Sequence, residues 1–130
     1  MRRDMEYSIK LLVAIYQETY RTGSIPIESE NDITFEEVEE NLKYINHLRL
    51  LEDANYIDVN ITYFDDTPHV LECRLTWDGN DFLDMVENDG LWNKTKDAAK
   101  ERGFEIAKMP LDLIVEFTKA KAKEMLGFDI

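Results

Sequence analysis

The chain has 130 residues and a mass of 15.3 kDa, room for a single ordinary domain, since soluble domains run to roughly 100–200 residues each. With 44% hydrophobic and 11% aromatic residues it has material for a real core, which excludes wholesale disorder. Its 15 Lys and Arg stand against 28 Asp and Glu, and the resulting net charge of −13 repels nucleic acid, anionic lipid and phosphorylated substrates while favouring basic partners.

One cysteine, Cys73, makes no internal disulfide and points to a reducing, cytoplasmic setting. The longest apolar run, Leu11 to Tyr16, is far shorter than the ~20 residues of a membrane span. Arg2-Arg3 is followed by Asp4, Glu6 and Lys10 rather than by the apolar stretch of a secretion signal.

In chain order, Met5, Ile9, Leu12, Tyr16 and Tyr20 recur at helical spacing, which predicts an amphipathic helix from Met5 to Tyr20 capped by Asp4. Gly23 to Asp32 reads as a loop. Thr34-Phe35-Glu36-Glu37 is a capping box, so a second helix, or two short ones with a bend, starts there. It carries Phe35, Val38, Leu42, Ile45, Leu48 and Leu51 on its apolar face as far as Ala54. Asn55 replaces glycine as the left-handed terminator.

The period then changes to two. Ile57, Val59, Ile61 and Tyr63 form the apolar face of one strand, Asp65 to Pro68 the turn, and Val70 to Leu75 a second strand with Leu71, Cys73 and Leu75 inward. Helical spacing returns from Trp77 to Glu87, is interrupted at Asn88-Asp89-Gly90, and resumes from Leu91 to Arg102 with Gly103 as its end. A last helix starts at Met109-Pro110 and ends at Gly127, with Leu111, Ile114, Val115, Thr118, Ala122 and Met125 on one face. A two-stranded hairpin is not stable alone and must lean on helices. The predicted architecture is therefore α+β: a winged helix, meaning a helix-turn-helix with a two-stranded wing, over residues 1–87. A C-terminal helical extension over 88–130 packs on the same domain.

Four blocks carry a resemblance: Arg3-Asp4-Met5-Glu6, His47 to Ile57, Leu75 to Asp84, and Trp92-Asn93-Lys94-Thr95-Lys96. Together they resemble a family of small bacterial and phage proteins filed as domain of unknown function 2513, and the likeness runs from Arg3 to about Leu126. Family members usually have Gly where this chain has Asn55 and His where it has Asn80. The second departure removes any metal or acid/base role a histidine would have had there. The resemblance implies a fold and no activity.

A winged helix suggests DNA binding by the second helix. Here that element opens with Glu36, Glu37, Glu39 and Glu40, and only Lys43, Asn46, His47 and Arg49 have the chemistry for a groove. Between Glu28 and Asp58 there are ten acids and two bases, and the wing tip is Asp65-Asp66. Such a surface opposes the phosphate contacts that supply most non-specific affinity. Of the basic residues, eight lie between Lys94 and Lys123, interleaved with five acids, as on solvated helix faces. His69 and Cys73 are four strand residues apart, about 13 Å, too far to share a metal ion. No nucleophile elbow or glycine-rich phosphate loop is present.

These residues point to a non-enzymatic protein-interaction or self-associating module, with no cofactor or small-molecule substrate. Its expected partner surface is Glu36, Glu37, Glu40, Phe64, Asp65, Asp66 and Trp92, facing a protein partner or a second copy in a homodimer. The alternatives are a DNA-binding regulator using Lys43, Asn46, His47 and Arg49, and an acidic phage protein that mimics nucleic acid.

Overall fold

The computed structural model describes residues 3–28 and 32–126. Asp4 caps the first helix, α1 (Met5–Tyr16), its carboxylate accepting from the Tyr7 amide. The helix ends four residues earlier than its spacing predicts. Gln17-Glu18-Thr19 is polar on every side, so further turns have nothing to bury. Instead Glu18 adopts a left-handed φ of 58°, and the Glu18 and Thr19 amides donate back to Ile15 and Ala14. That is a Schellman closure, with glutamate where glycine is usual.

The connection to the next helix is not all loop. Gly23–Ser24 forms a short strand, β1, and Ile25 donates its amide to the Pro68 carbonyl. The segment is held by side chains that the apolar pattern does not reveal. Arg21 donates to Asn41 at 2.6 Å, Asn41 donates to the Pro26 carbonyl, and the Tyr44 hydroxyl donates to the Arg21 carbonyl. Part of the predicted loop, residues 29–31, lies outside the described residues.

The capping box is present as predicted: the Thr34 hydroxyl accepts from the Glu37 amide and the Glu37 carboxylate accepts from the Thr34 amide. It opens a single unbroken helix, α2 (Phe35–Asp53). No turn divides it, so the second helix of a helix-turn-helix pair does not arise within this segment. Its buried face is also rotated from the predicted one. Asn41, Tyr44, Ile45, His47, Leu48 and Leu51 are inside, whereas Phe35 and Leu42 are exposed. The polar Asn41 and His47 replace them because each finds partners inside. Asn55 has a φ of 65° and closes α2, with the Asn55 and Tyr56 amides donating to Glu52 and Leu51.

The hairpin consists of β2 (Ile57–Phe64) and β3 (Thr67–Leu75). Its turn is two residues rather than four: Asp65 and Asp66 both have positive φ, and Phe64 pairs directly with Thr67. Such mirror-image turns match the twist of the flanking strands. The expected inward set on β3 is wrong at Leu71, which is exposed while Pro68, Val70 and Cys73 are buried. A bulge accounts for this. Asn60 pairs with Glu72 and Ile61 with Val70, leaving Leu71 as the extra residue, so the buried positions switch from even to odd numbers across it. The sheet is antiparallel with the order β1-β3-β2.

Thr76 caps α3 (Trp77–Glu87), and Asn88 both ends that helix and caps α4 (Asp89–Glu101), which begins two residues before its predicted start. Gly103, with a φ of 80°, closes α4. A 3-10 turn at Ile106–Lys108 leads to α5 (Leu111–Leu126), where Ile114, Thr118 and Ala122 are buried as predicted. The predicted end of α5 at Gly127 lies outside the described residues. The described fold is thus α+β, with five helices beside a three-stranded antiparallel sheet. One apolar cluster takes Met5, Leu12 and Ile15 from α1, Leu48 from α2, Val70 from β3 and Phe82 from α3, together with Ala99, Met109 and Ile114. No described helix is long and apolar enough to cross a membrane.

Candidate interaction surface

The hairpin turn and the segment that leads into α2 come together in space. A cleft of about 330 Å³ is lined by Pro26, Ile27, Glu28, Ile33, Asp65, Asp66 and Thr67, so the residues entering α2 face the turn of the hairpin. Glu36, Glu37 and Glu40 are exposed on the first turns of α2, and Asp65 and Asp66 are exposed at the turn. Large apolar side chains stand out from the same two elements: Phe35 is 71% exposed, Phe64 58% and Tyr63 49%. Phe64, on the outer side of the hairpin, meets the His69 ring edge-on at 5.0 Å. Glu28, Asp65 and Asp66 around the cleft give it a negative lining.

Trp92 does not join this surface. It is half-buried against the apolar cluster, with the Lys96 ammonium 5.6 Å from its ring, so it is a packing residue rather than an exposed anchor. The exposed tryptophan is Trp77, at 84%. It occupies the first position of α3, outside the periodic set Phe82, Leu83 and Val86. That placement was the only sequence signal for its exposure.

The four residues suited to a DNA groove are scattered among structural contacts. His47 is fully buried. Its Nε2 accepts from the Asp4 amide at 2.9 Å, which leaves Nδ1 to donate to the Lys43 carbonyl at 2.7 Å. The imidazole is therefore neutral with a defined tautomer, it joins the α1 cap to the middle of α2, and it has no access to a base edge. Lys43 lies 3.7 Å from the Asp4 carboxylate and 4.3 Å from the centre of the Tyr7 ring. Arg49 turns the other way, donating to the Tyr63 hydroxyl and lying over its ring. Asn46 is half-buried between them in sequence. The two cations are thus committed to α1 and to β2 respectively.

In the C-terminal third, Lys96, Lys108 and Lys121 are each within 4 Å of a carboxylate, those of Glu6, Glu105 and Glu124. Lys94, Lys100 and Lys119 are exposed, and Arg102 lies over the Phe117 ring.

Burial pushes the Cys73 thiol up to about 12, with the Glu52 charge adding to the shift, so the thiol is protonated and inert at neutral pH. Burial also raises Tyr44 to about 12 against the opposing Arg21 charge, and raises Tyr56 to about 12 with help from Asp112 and Asp78. Among the described residues, no group of three or more His, Cys, Asp or Glu side chains is placed to hold a metal ion.

The chain belongs to the family described as Hypothetical protein (DUF2513), which matches residues 2–105. It is also similar to an uncharacterized protein of Haemophilus influenzae, 23% identical over 127 residues that span 98% of this chain and 100% of that protein. No solved structure matches the chain.

The family match covers the cap cluster Asp4, Tyr7, Lys43 and His47, the hairpin, α3 and α4. The Leu75-Thr76-x-x-Gly79 element within it has a packing explanation. The Thr76 hydroxyl accepts from the Gly79 amide and donates to the Asn55 carbonyl at 2.6 Å. Gly79 lies directly against the Tyr56 carbonyl, where a side chain would collide.

Proposed function

We propose that the chain is a non-enzymatic interaction module on a variant of the winged-helix fold in which the single helix α2 stands in place of the helix-turn-helix pair, presenting the start of α2 and the wing tip to a basic or apolar protein surface or to a second copy. The winged-helix reading is supported by the sheet order β1-β3-β2, by β1 following α1, and by a hairpin that follows a long helix. The observation that carries the functional reading is the cleft between the segment leading into α2 and the hairpin turn, lined by Glu28, Ile33, Asp65 and Asp66, with Phe35, Tyr63 and Phe64 and the carboxylates Glu36, Glu37 and Glu40 exposed on the two elements that flank it. Apolar side chains ringed by carboxylates suit a partner with apolar anchors and a basic rim.

The rival function of this fold, DNA binding, requires cations free to meet phosphates. On α2 the two available ones are engaged by Asp4 and Tyr7 and by Tyr63. The discriminating experiment is fluorescence anisotropy with two labelled probes, a basic amphipathic Lys/Leu peptide and a random DNA duplex. The peptide is expected to bind, and to bind more weakly when Glu36, Glu37 and Glu40 are changed together to Gln. Duplex binding at about 50 mM salt that is lost steeply by about 200 mM, with no peptide binding, would overturn the reading.

A further inference from the structure

β2 is the outer strand of the sheet, and no described strand pairs with its far side. Its open edge has a definite chemistry. The two-residue turn makes Phe64 and Thr67 a hydrogen-bonded pair, so the even-numbered residues of β2 exchange bonds with β3. Val59, Ile61 and Tyr63 consequently direct their N–H and C=O groups to the open side. A long row of such groups is a template for another strand, and proteins usually guard it with Lys, Pro, inward charges or bulges.

None of these guards is on β2. Ile57 to Phe64 contains no Lys, Arg, Glu or Pro, and its one charge, Asp58, is met by Arg74 at 2.6 Å. The bulge places its extra residue, Leu71, in β3, so β2 keeps an unbroken alternation. In a chain of net charge −13, two copies repel; β2, with Arg74 beside it, is an edge with no net charge to oppose their approach.

We propose that β2 pairs antiparallel with β2 of a second copy, about a two-fold axis centred on Ile61, so that the two sheets become one. This rests on the self-association arm of the function proposed above and assigns it to a specific edge. In that register Ile61 meets its own copy, Val59 faces Tyr63, Asn60 faces Thr62 and Asp58 faces Phe64. No two like charges stand opposite one another, and apolar cross-strand pairs add to the backbone bonds. The Asp65-Asp66 tips are carried to opposite ends of the paired strands, which keeps the acidic turns apart.

The test combines mass and amide exchange on the full chain. Light scattering over a concentration series is expected to show a dimer, and one that tightens between about 50 and 500 mM salt, because screening relieves the repulsion between two anions. Binding of a basic peptide would have the opposite salt dependence. Hydrogen exchange is expected to show the Val59, Ile61 and Tyr63 amides protected at high concentration and released on dilution. Changing Asn60→Lys together with Thr62→Lys, both on the outer face, sets ammonium groups opposite one another and is expected to raise the dimer dissociation constant at least tenfold. The pair Asn93→Lys with Ala120→Lys, equal in charge and on the exposed faces of α4 and α5, is expected not to raise it.

A dimer whose three β2 amides exchange as fast as in the monomer would overturn this assignment and leave self-association standing. A monomer at every concentration that still binds the basic peptide would overturn the assignment and leave the interaction reading standing.

Discussion

Replacing Gly79 with alanine tests the packing of α3 on the end of α2. A Cβ on Gly79 would lie 2.0 Å from the Tyr56 carbonyl oxygen, 3.0 Å from its carbon and 3.4 Å from its Cα. Backbone cannot swing aside as a side chain can, so α3 must retreat from Tyr56. The retreat pulls on three hydrogen bonds that meet there: the Thr76 amide to the Tyr56 carbonyl at 3.0 Å, the Thr76 hydroxyl to the Asn55 carbonyl, and the Gly79 amide to the Thr76 hydroxyl.

Alanine in a helix is favoured over glycine by about 1 kcal/mol. Against that stand overpacking, at ~1–3 kcal/mol, and the weakening of bonds worth ~1 kcal/mol each. The expected balance is a loss of about 3 kcal/mol, or a fall in Tm on the order of 10 °C for a domain of this size. Urea and thermal unfolding followed by circular dichroism measure it, with Asn80→Ala one residue further on as the exposed comparison. A Tm equal to or above that of the parent would refute the reasoning, since it would mean that α3 and the Tyr56 backbone separate at no cost.

Other outcomes follow from the same geometry. His47→Ala strands the Asp4 amide inside the protein and opens a cavity, and chemical denaturation is expected to show a loss of ~2–4 kcal/mol; a surface histidine would give almost none. Glu18→Gly and Asp66→Gly each place glycine at a left-handed residue, and each is expected to raise stability by about 0.5–1 kcal/mol, read as a higher Tm. At alkaline pH the sign runs the other way. Tyr44, Tyr56 and Cys73 have folded values near 12, above their ordinary values of 10.0, 10.0 and 9.0. The folded state therefore holds protons that the unfolded chain gives up. Their contribution to stability is intact below pH 9 and is lost as pH rises from about 9 toward 12. A melting series across that window that shows no fall would contradict the burial of these groups.

Helix ends were legible where the residue itself carries the signal. Asp4, Thr34, Asn55 and Gly103 each have a side chain, or the lack of one, suited to a terminus, and all four terminate helices. Glu18 terminates α1 by the same closure but is invisible in advance, because glutamate is a good helix former and only the missing apolar continuation ends the helix there. The buried face of α2 departs from its apolar pattern, because hydrogen-bonded polar side chains share the inside. Asn41 and His47 are buried through hydrogen bonds to Pro26, Arg21, Asp4 and Lys43, partners that are distant in sequence or on the backbone. Leu71 was misplaced because a bulge shifts the parity of a strand without altering its composition. In the candidate surface, the acidic residues of α2 and the turn were readable from charge alone. The exposure of Trp77, the burial of Trp92 and the commitment of Lys43 and Arg49 depend on neighbours that only the folded chain supplies.

The double duty of Asn88 limits how such a molecule can vary. It is the C-terminal cap of one helix and the N-terminal cap of the next, so α3 and α4 are joined without slack. One residue added to a surface loop changes little, because doubling a loop's length costs only about 0.6 kcal/mol. Added at Asn88 as an extra helical residue, it would turn the following helix by about 100° about its axis. Ala99 would swing out of the core, and everything after it would lose its seat. Length changes among relatives of this chain should therefore collect between α1 and α2 or beyond α5, and the α3–α4 elbow should keep its length while its exposed residues drift.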